Sequence, residues 1–125
     1  VIDDTYNSNL ESCSAAIEYL CAFSGSGRNV AVIGDMLELG SASKKQHEKL
    51  GQKCNSSNLD AIFTLGVETL RTKNTIEGKK TNDHFENHNH LINTLKSFLK
   101  SGDKVLFKGS RGMQMEKIIS GVFEN

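Results

Sequence analysis

The sequence predicts an α/β domain in which a mostly parallel sheet is flanked by helices, a Rossmann-like arrangement of three layers. Three segments support this fold class, because each begins as a short apolar run typical of a buried strand and stops at a glycine beside polar residues: 30–38, 61–66 and 105–112. Segments with helical spacing of apolar residues lie between them. Such alternation of strands and helices favours a layered fold with a parallel sheet.

The glycines at the ends of these strands predict where a ligand would bind. Gly34, Gly66 and Gly109 each follow a strand, and in an open parallel sheet ligands bind outside the carboxyl ends of the strands. A glycine at such a place lets backbone N–H groups come close to a ligand. If the three strands lie side by side, their ends form one crevice that suits an anion or a nucleotide.

The other elements follow from local patterns. Apolar residues at helical spacing predict the helices, and the polar, turn-prone stretch 72–90 predicts only one short strand. The predicted elements are, in order, a strand ending near residue 4, a helix over 10–23, a strand over 29–33, a polar helix over 43–54, a strand over 60–65, a short strand near 84–85, a helix over 91–99, a strand over 104–108 and a last helix over 113–123.

Length and charge limit the classes of function. The 125 residues fit one domain, 1–125. Fifteen basic residues balance fifteen acidic ones, so the broad positive field that drives binding to nucleic acid is missing and we expect no nucleic-acid partner. No apolar run approaches the roughly 18 residues of a membrane span, and the amino terminus has no signal pattern. We therefore expect a cytoplasmic domain without a membrane partner.

The cysteines predict buried thiols rather than a cross-linked or metal-binding protein. Cys13, Cys21 and Cys54 are odd in number and match no metal-ligand spacing, so neither a disulfide framework nor a zinc site follows. Cys13 and Cys21 are spaced to lie on one face of a helix, as expected for core positions.

A cluster of polar residues follows the first strand. An acid, an aromatic residue and two amides occupy positions 4–9, directly before a helix. A carboxylate can accept hydrogen bonds from ribose hydroxyls, an amide can pair with a base edge, and a tyrosine ring can flank a planar group. The alternative is capping, in which Asn7, Ser8 or Asn9 satisfies the free N–H groups at the start of the helix. The pattern alone leaves both interpretations open.

Three motifs in a fixed order give the chain a family resemblance. They are Asp-Thr-Tyr-Asn-Ser-Asn at 4–9, Gly-Asp-Met-Leu-Glu-Leu-Gly at 34–40 with His47 after it, and Lys-Gly-Ser-Arg-Gly-Met-Gln-Met-Glu at 108–116. Together they resemble the C-terminal domain of the Mur ligases, and the resemblance runs from end to end. The chain departs from the family pattern at Ser8 and Leu10, where alanine and proline are usual. Neither change removes a polar group that a ligand would need.

The resemblance implies an ATP-dependent peptide-bond former. Within the family, the match is closest to members that join D-Ala-D-Ala to UDP-N-acetylmuramoyl-tripeptide through an acyl phosphate. Such enzymes have three domains, and Mg²⁺ is held mainly by the central one. This sequence has no G-x-x-x-x-G-K-[ST], so we expect an excised C-terminal domain that works with the N-terminal and central domains and is inactive alone.

The resemblance also implies roles for residues near the nucleotide. Asp4 would contact the ribose of ATP, and Tyr6, Asn7 and Asn9 would shape the adenine side or the hinge to the central domain. Asp35, at the end of its strand, would line the same crevice. No catalytic residue and no metal ligand is expected within this domain.

The last motif is expected to bind the incoming dipeptide. By the resemblance, Lys108, Ser110 and Arg111 would receive D-Ala-D-Ala and its carboxylate, together with N–H groups at the start of the last helix. A helix N-terminus carries a partial positive charge and free donors, which favours an anion there independently of the family. For Arg111 the alternatives are a solvated surface charge or a partner for Glu116.

Other polar groups carry weaker hypotheses. His84, Glu86, His88 and His90 match no established metal-ligand pattern, so we expect a solvated loop. His47 lies on a polar helix without an H-E-x-x-H partner, which favours packing or hydrogen bonding. The alternative to a ligase domain is a stand-alone Rossmann-like module that binds a nucleotide or a small anion without catalysis.

Overall fold

A computed structural model describes residues 2–4, 9–23, 25–78 and 80–124, and for residues 3 and 4 it describes the backbone alone. The strands are β1 (Ile2–Asp4), β2 (Asn29–Gly34), β3 (Ala61–Leu65), β4 (Thr81–Phe85) and β5 (Lys104–Lys108). The helices are α1 (Leu10–Ala22), α2 (Ser43–Ser56), α3 (Thr69–Thr75), α4 (His88–Phe98) and α5 (Met115–Phe123). Turns of 3₁₀ helix, Gly40–Ala42 and Arg111–Met113, precede α2 and α5.

The strands of the described residues form one five-stranded sheet in the order β1-β5-β2-β3-β4. Each neighbouring pair is parallel. Val32, in the centre of the sheet, pairs with Phe63 on one side and Phe107 on the other. The three glycine-ended strands are therefore neighbours, and the prediction of a parallel sheet is confirmed.

Helices cover both faces of the sheet. Along β2, Ala31 and Ile33 pack into one core, whereas Val30 and Val32 pack into the other. Successive residues of a strand face opposite sides, which explains the alternation. The first core takes its helical side chains from α1 and α2, and the second takes them from α4 and α5. This arrangement confirms the predicted three-layer α/β fold.

The polar stretch 72–90 contains more regular structure than the sequence predicts. Helix α3 buries Thr69 and Thr72, and the Thr72 hydroxyl donates to the carbonyl of His47 at 2.7 Å. A helix that buries threonines rather than apolar residues shows no apolar periodicity, so its signal is missing from the sequence. Strand β4 is an edge strand without a buried residue. It therefore also lacks an apolar pattern by which it could be predicted.

The last predicted helix begins later and after a break. A 3₁₀ turn covers Arg111–Met113, and Gln114 adopts a left-handed conformation with φ 54° before α5 starts at Met115. Helix α4 begins at His88 rather than residue 91, because the side chain of Asn87 accepts from the N–H of His90 at 3.1 Å and caps it.

The cysteines are free thiols, as predicted. Cys13 and Cys54 are buried and Cys21 is half-buried, and burial raises the pKa of the Cys54 thiol to about 12. None of the helices in the described ranges is both long and apolar enough to cross a membrane.

An ion pair fixes the turn before β5, at the amino-terminal edge of the sheet. Arg28 donates to both carboxylate oxygens of Asp103, at 2.9 and 2.7 Å. The N–H of Lys100 also donates to this carboxylate, at 2.8 Å. The hydrogen bond from Arg28 holds the pKa of Asp103 below its ordinary value.

Candidate functional site

The described parts of the three sequence motifs meet at one edge of the sheet, where the strands end; we call it the carboxyl edge. The α-carbon of Asp4, at the end of β1, pairs with that of Lys108, at the end of β5. Lys108 pairs in turn with Ile33 of β2, next to Gly34. The chain leaves β2 for α2 on one face and leaves β5 for α5 on the other. Adjacent strands whose connections diverge in this way mark the usual ligand-binding point of open α/β sheets.

Methionine fills the space between the ends of β2 and β5. A Cβ built on Gly34 would lie 2.7 Å from the Met115 sulfur, and one on Gly109 would lie 2.7 Å from Met115 Cγ. Met115 is fully buried. These two glycines therefore make room for a side chain of α5, whereas the strand-end pattern predicts that they make room for a ligand.

The carboxylate of Asp35 organises the segment that follows β3. Its Oδ2 accepts from the N–H groups of Val67 and Glu68, both at 3.0 Å, and its Oδ1 accepts from that of Thr69 at 2.8 Å. Asp35 is only 4% exposed. Gly66, with φ 128°, leaves room for this carboxylate. Both carboxylate oxygens are thus engaged with the protein, while the predicted contact with a nucleotide stays a prediction.

Ser110 joins the end of β5 to the segment after β2. Its N–H donates to the carbonyl of Asp35 at 3.1 Å, and its hydroxyl oxygen accepts from the N–H of Leu37 at 2.7 Å. The family resemblance implies that Ser110 binds the dipeptide. The structure places it at the predicted edge with a backbone contact of its own, and its substrate role stays a prediction.

The side chain of His47 binds the segment after β2 through a hydrogen bond. It is fully buried, and its Nε2 accepts from the N–H of Met36 at 3.1 Å. Its Nδ1 lies 2.8 Å from the carbonyl oxygen of Ser43, which requires the proton on Nδ1. The predicted hydrogen-bonding role of His47 is confirmed.

The two cations of the last motif differ in exposure. Lys108 is 2% exposed, whereas Arg111 is exposed on the 3₁₀ turn. Met113 is the last residue of this turn. Its carbonyl oxygen lies 2.9 Å from Nε2 of His88. The ring N–H of His88 can therefore donate to it and hold the turn against α4. No local pattern predicts this contact, because His88 and Met113 are distant in the chain.

The amino-terminal motif is described only in part. Asp4 ends β1 at the carboxyl edge, while Tyr6 and Asn7 lie outside the described residues. Asn9 is the N-cap of α1: its Oδ1 accepts from the N–H of Ser12 at 2.8 Å, and the Ser12 hydroxyl accepts from the N–H of Asn9 at 3.0 Å. The capping interpretation is confirmed for Asn9, and its contact with a nucleotide stays a prediction.

The expectation of a solvated loop is wrong for the histidines near residue 84, whereas Glu86 is exposed between β4 and α4 as expected. His84 belongs to β4, and its Nδ1 lies 2.7 Å from the Thr64 hydroxyl, while His88 and His90 begin α4. The apolar pattern of α4 starts only at Leu91, which explains the error. Over the residues that the structure describes, no group of three or more His, Cys, Asp or Glu side chains could hold a metal ion.

A surface cleft of about 380 Å³ lies at the opposite, amino-terminal edge of the sheet. Its Asn55 accepts from the N–H of Glu77 and donates to the carbonyl of Thr75. Its Lys80 ammonium donates to the carbonyls of Ser57 and Leu59. These polar groups stabilise the cleft wall, and we place the candidate site at the carboxyl edge, where the motifs meet.

Comparison with known proteins identifies the family of the chain. Residues 1–111 match the family described as Mur ligase, glutamate ligase domain. The chain is 31% identical over its whole length to UDP-N-acetylmuramoyl-tripeptide–D-alanyl-D-alanine ligase of Bacillus subtilis (strain 168), of which it covers 28%. It thus spans little more than a quarter of that relative.

Solved structures agree in fold. MurF ligase from Thermotoga maritima in complex with ADP is 33% identical, with a TM-score of 0.78 over 94% of this chain and 26% of that one. MurF from Acinetobacter baumannii is 28% identical, with a TM-score of 0.83 over 97% of this chain and 26% of that one. The resemblance carried by the three motifs is confirmed, and the chain belongs to the Mur ligase family, in which it represents the C-terminal, glutamate ligase domain.

Proposed function

We propose that this chain is the C-terminal domain of an ATP-dependent ligase that joins D-Ala-D-Ala to UDP-N-acetylmuramoyl-tripeptide. The observation that carries the proposal is that the described parts of the three motifs, with Asp4 for the first, meet at the carboxyl edge of one sheet. The similarity to a ligase of that name over the whole chain supports it. In this role the domain positions the amine that attacks the activated carboxylate and excludes water when it closes over the site.

The nucleotide would bind near the start of the chain. Asp4 ends β1 at the carboxyl edge, which suits a carboxylate that accepts from ribose hydroxyls, and Tyr6, Asn7 and Asn9 would form the adenine side or the hinge. Asp35 lies at the same edge. ATP supplies the phosphoryl group that activates the acceptor carboxylate, with Mg²⁺ held mainly by the central domain.

The dipeptide would bind at the turn after β5. Arg111 is exposed on the 3₁₀ turn, where a guanidinium can form two parallel hydrogen bonds with a carboxylate. Ser110 fixes the start of this turn. The buried Lys108 adds positive charge at the end of β5. We assign to these residues the binding and orientation of the dipeptide and no proton transfer.

The test is phosphate release by the ligase polypeptide that carries this domain, with ATP, Mg²⁺ and UDP-N-acetylmuramoyl-tripeptide. We expect release that depends on D-Ala-D-Ala and not on single amino acids, and no turnover by the 125-residue chain alone. Release that requires a different acceptor would contradict the proposed substrate while keeping the family. No release with any acceptor would contradict the ligase and favour a binding module.

A further inference from the structure

We infer, on the basis of the function proposed above, that Asp35 is a positioning residue of the dipeptide site. Its carboxylate and its carbonyl hold the segments that follow β2, β3 and β5 in one arrangement, and this arrangement sets the place of Ser110 and Arg111. In this role Asp35 acts on the dipeptide site through the protein backbone. A nucleotide-binding role would instead require a direct contact between Asp35 and the nucleotide.

The first observation is that one residue binds two different segments. The side chain of Asp35 accepts from the three consecutive N–H groups of 67–69, and its carbonyl accepts from the N–H of Ser110. Carboxylate acceptors form short, strong hydrogen bonds with backbone N–H groups. We call Asp35, Val67, Glu68, Thr69 and Ser110 the Asp35 network.

The second observation is that the side chain of Ser110 also binds the segment after β2. The N–H of Leu37 donates to the Ser110 hydroxyl at 2.7 Å, so two hydrogen bonds, through Asp35 and Leu37, join Ser110 to the segment after β2. A movement of that segment must move Ser110. Arg111 follows Ser110 directly and begins the 3₁₀ turn, so these two bonds hold the residue from which the turn starts.

The third observation is a hydrogen bond between Ser43, the first residue of α2, and Glu68, the residue before α3. The hydroxyl of Ser43 donates to Glu68 Oε1 at 2.5 Å, and the carbonyl of Ser43 lies against His47 Nδ1. His47 in turn accepts from the N–H of Met36, next to Asp35. Hydrogen bonds therefore link Asp35 to Glu68, Ser43 and His47 in turn, and the bond from Met36 to His47, with the peptide bond between Asp35 and Met36, closes the ring. Such a ring favours one arrangement of the carboxyl edge.

The kinetic test is Asp35→Asn in the ligase polypeptide. Asparagine keeps the shape but places an NH₂ group where a carboxylate oxygen accepts, so at least one N–H of 67–69 loses its acceptor. We expect the KM for D-Ala-D-Ala to rise about tenfold or more, and the KM for ATP to stay within about threefold. A KM for ATP that rises as much as that for the dipeptide would overturn the positioning role, and so would an unchanged KM for the dipeptide.

Asp103→Asn is the matched control. Asp103 is also a carboxylate that accepts from a backbone N–H in a turn, with a side chain 5% exposed, but it lies at the opposite edge of the sheet. We expect this substitution to lower stability while both KM values stay unchanged. If it raises the KM for the dipeptide as Asp35→Asn does, the effect reflects general destabilisation and the inference is wrong.

Amide hydrogen exchange separates this inference from the proposed function. In the 125-residue chain, Asp35→Asn should speed exchange at 67–69 and also at Leu37 and Ser110, whose bonds the substitution does not remove directly. Unchanged exchange at Leu37 and Ser110 would show that the segments are not coupled, whatever the ligase does. Failure of the proposed function would instead appear as missing phosphate release with this exchange pattern intact.

Discussion

Gly66 and Asp35 pack so closely that a side chain on Gly66 has no space. A Cβ at Gly66 would lie 2.3 Å from Oδ1 of Asp35, and the φ of Gly66 is 128°. The absence of a side chain here lets the Asp35 carboxylate reach the N–H groups of the next turn. The relationship explains why a glycine follows β3, and it gives a direct test of packing at the carboxyl edge.

Gly66→Ala should destabilise the fold more than Gly78→Ala. Both glycines have positive φ, but a Cβ at Gly78 would meet nothing within 4 Å. The backbone strain alone costs about 1–2 kcal/mol, and the clash with Asp35 should add about 2 kcal/mol or more at Gly66. Denaturant unfolding of the two variants measures the difference. Equal losses of unfolding free energy in the two variants would mean that the close approach of Gly66 to Asp35 does not affect stability.

His47→Leu should lower the free energy of unfolding by about 1–3 kcal/mol. The substitution leaves the N–H of Met36 and the carbonyl of Ser43 without the bonds that they make to the imidazole. Lys49→Ala, at an exposed position of the same helix, is the control and should change the free energy by less than about 0.5 kcal/mol. A His47→Leu variant as stable as this control would contradict the structural role of the ring.

Asp103 should make stability depend on pH. Its pKa is lower in the folded state than in the unfolded state, first because of the hydrogen bond from Arg28. The stabilisation is therefore fully present above the unfolded pKa of about 3.9 and is lost as the pH falls through the lower, folded pKa. The difference in unfolding free energy between wild type and Asp103→Asn, measured from pH 6 downward, should shrink below that value. A difference that grows in acid would contradict the assignment.

The strand ends were predictable because apolar runs and glycines are local signals. Each predicted boundary of β2, β3 and β5, the strands near Gly34, Gly66 and Gly109, lies within one residue of the structure. Helix α3 and strand β4 were not predictable in the same way. The buried residues of α3 are the threonines Thr69 and Thr72 rather than apolar residues, and an edge strand carries little apolar pattern.

The contacts within the site could not be predicted from the sequence. The sequence places Asp35 at the end of a strand, but nothing local indicates that its carboxylate binds N–H groups 32–34 residues further along. The same holds for the bond between Leu37 and Ser110. Such pairings depend on strand order, which was not predicted. The residues that meet at the edge were therefore identified by the motifs, and their partners only by the fold.

The most direct test of the central claim, that the turn after β5 binds the dipeptide, is the KM for D-Ala-D-Ala of the Arg111→Ala ligase. Lys117→Ala removes an exposed cation within α5 and serves as the matched control. Loss of one charge-assisted contact should raise this KM about 10–100-fold for Arg111→Ala, and the control should leave it unchanged. An unchanged KM for Arg111→Ala, or an equal rise in both variants, would contradict the claim.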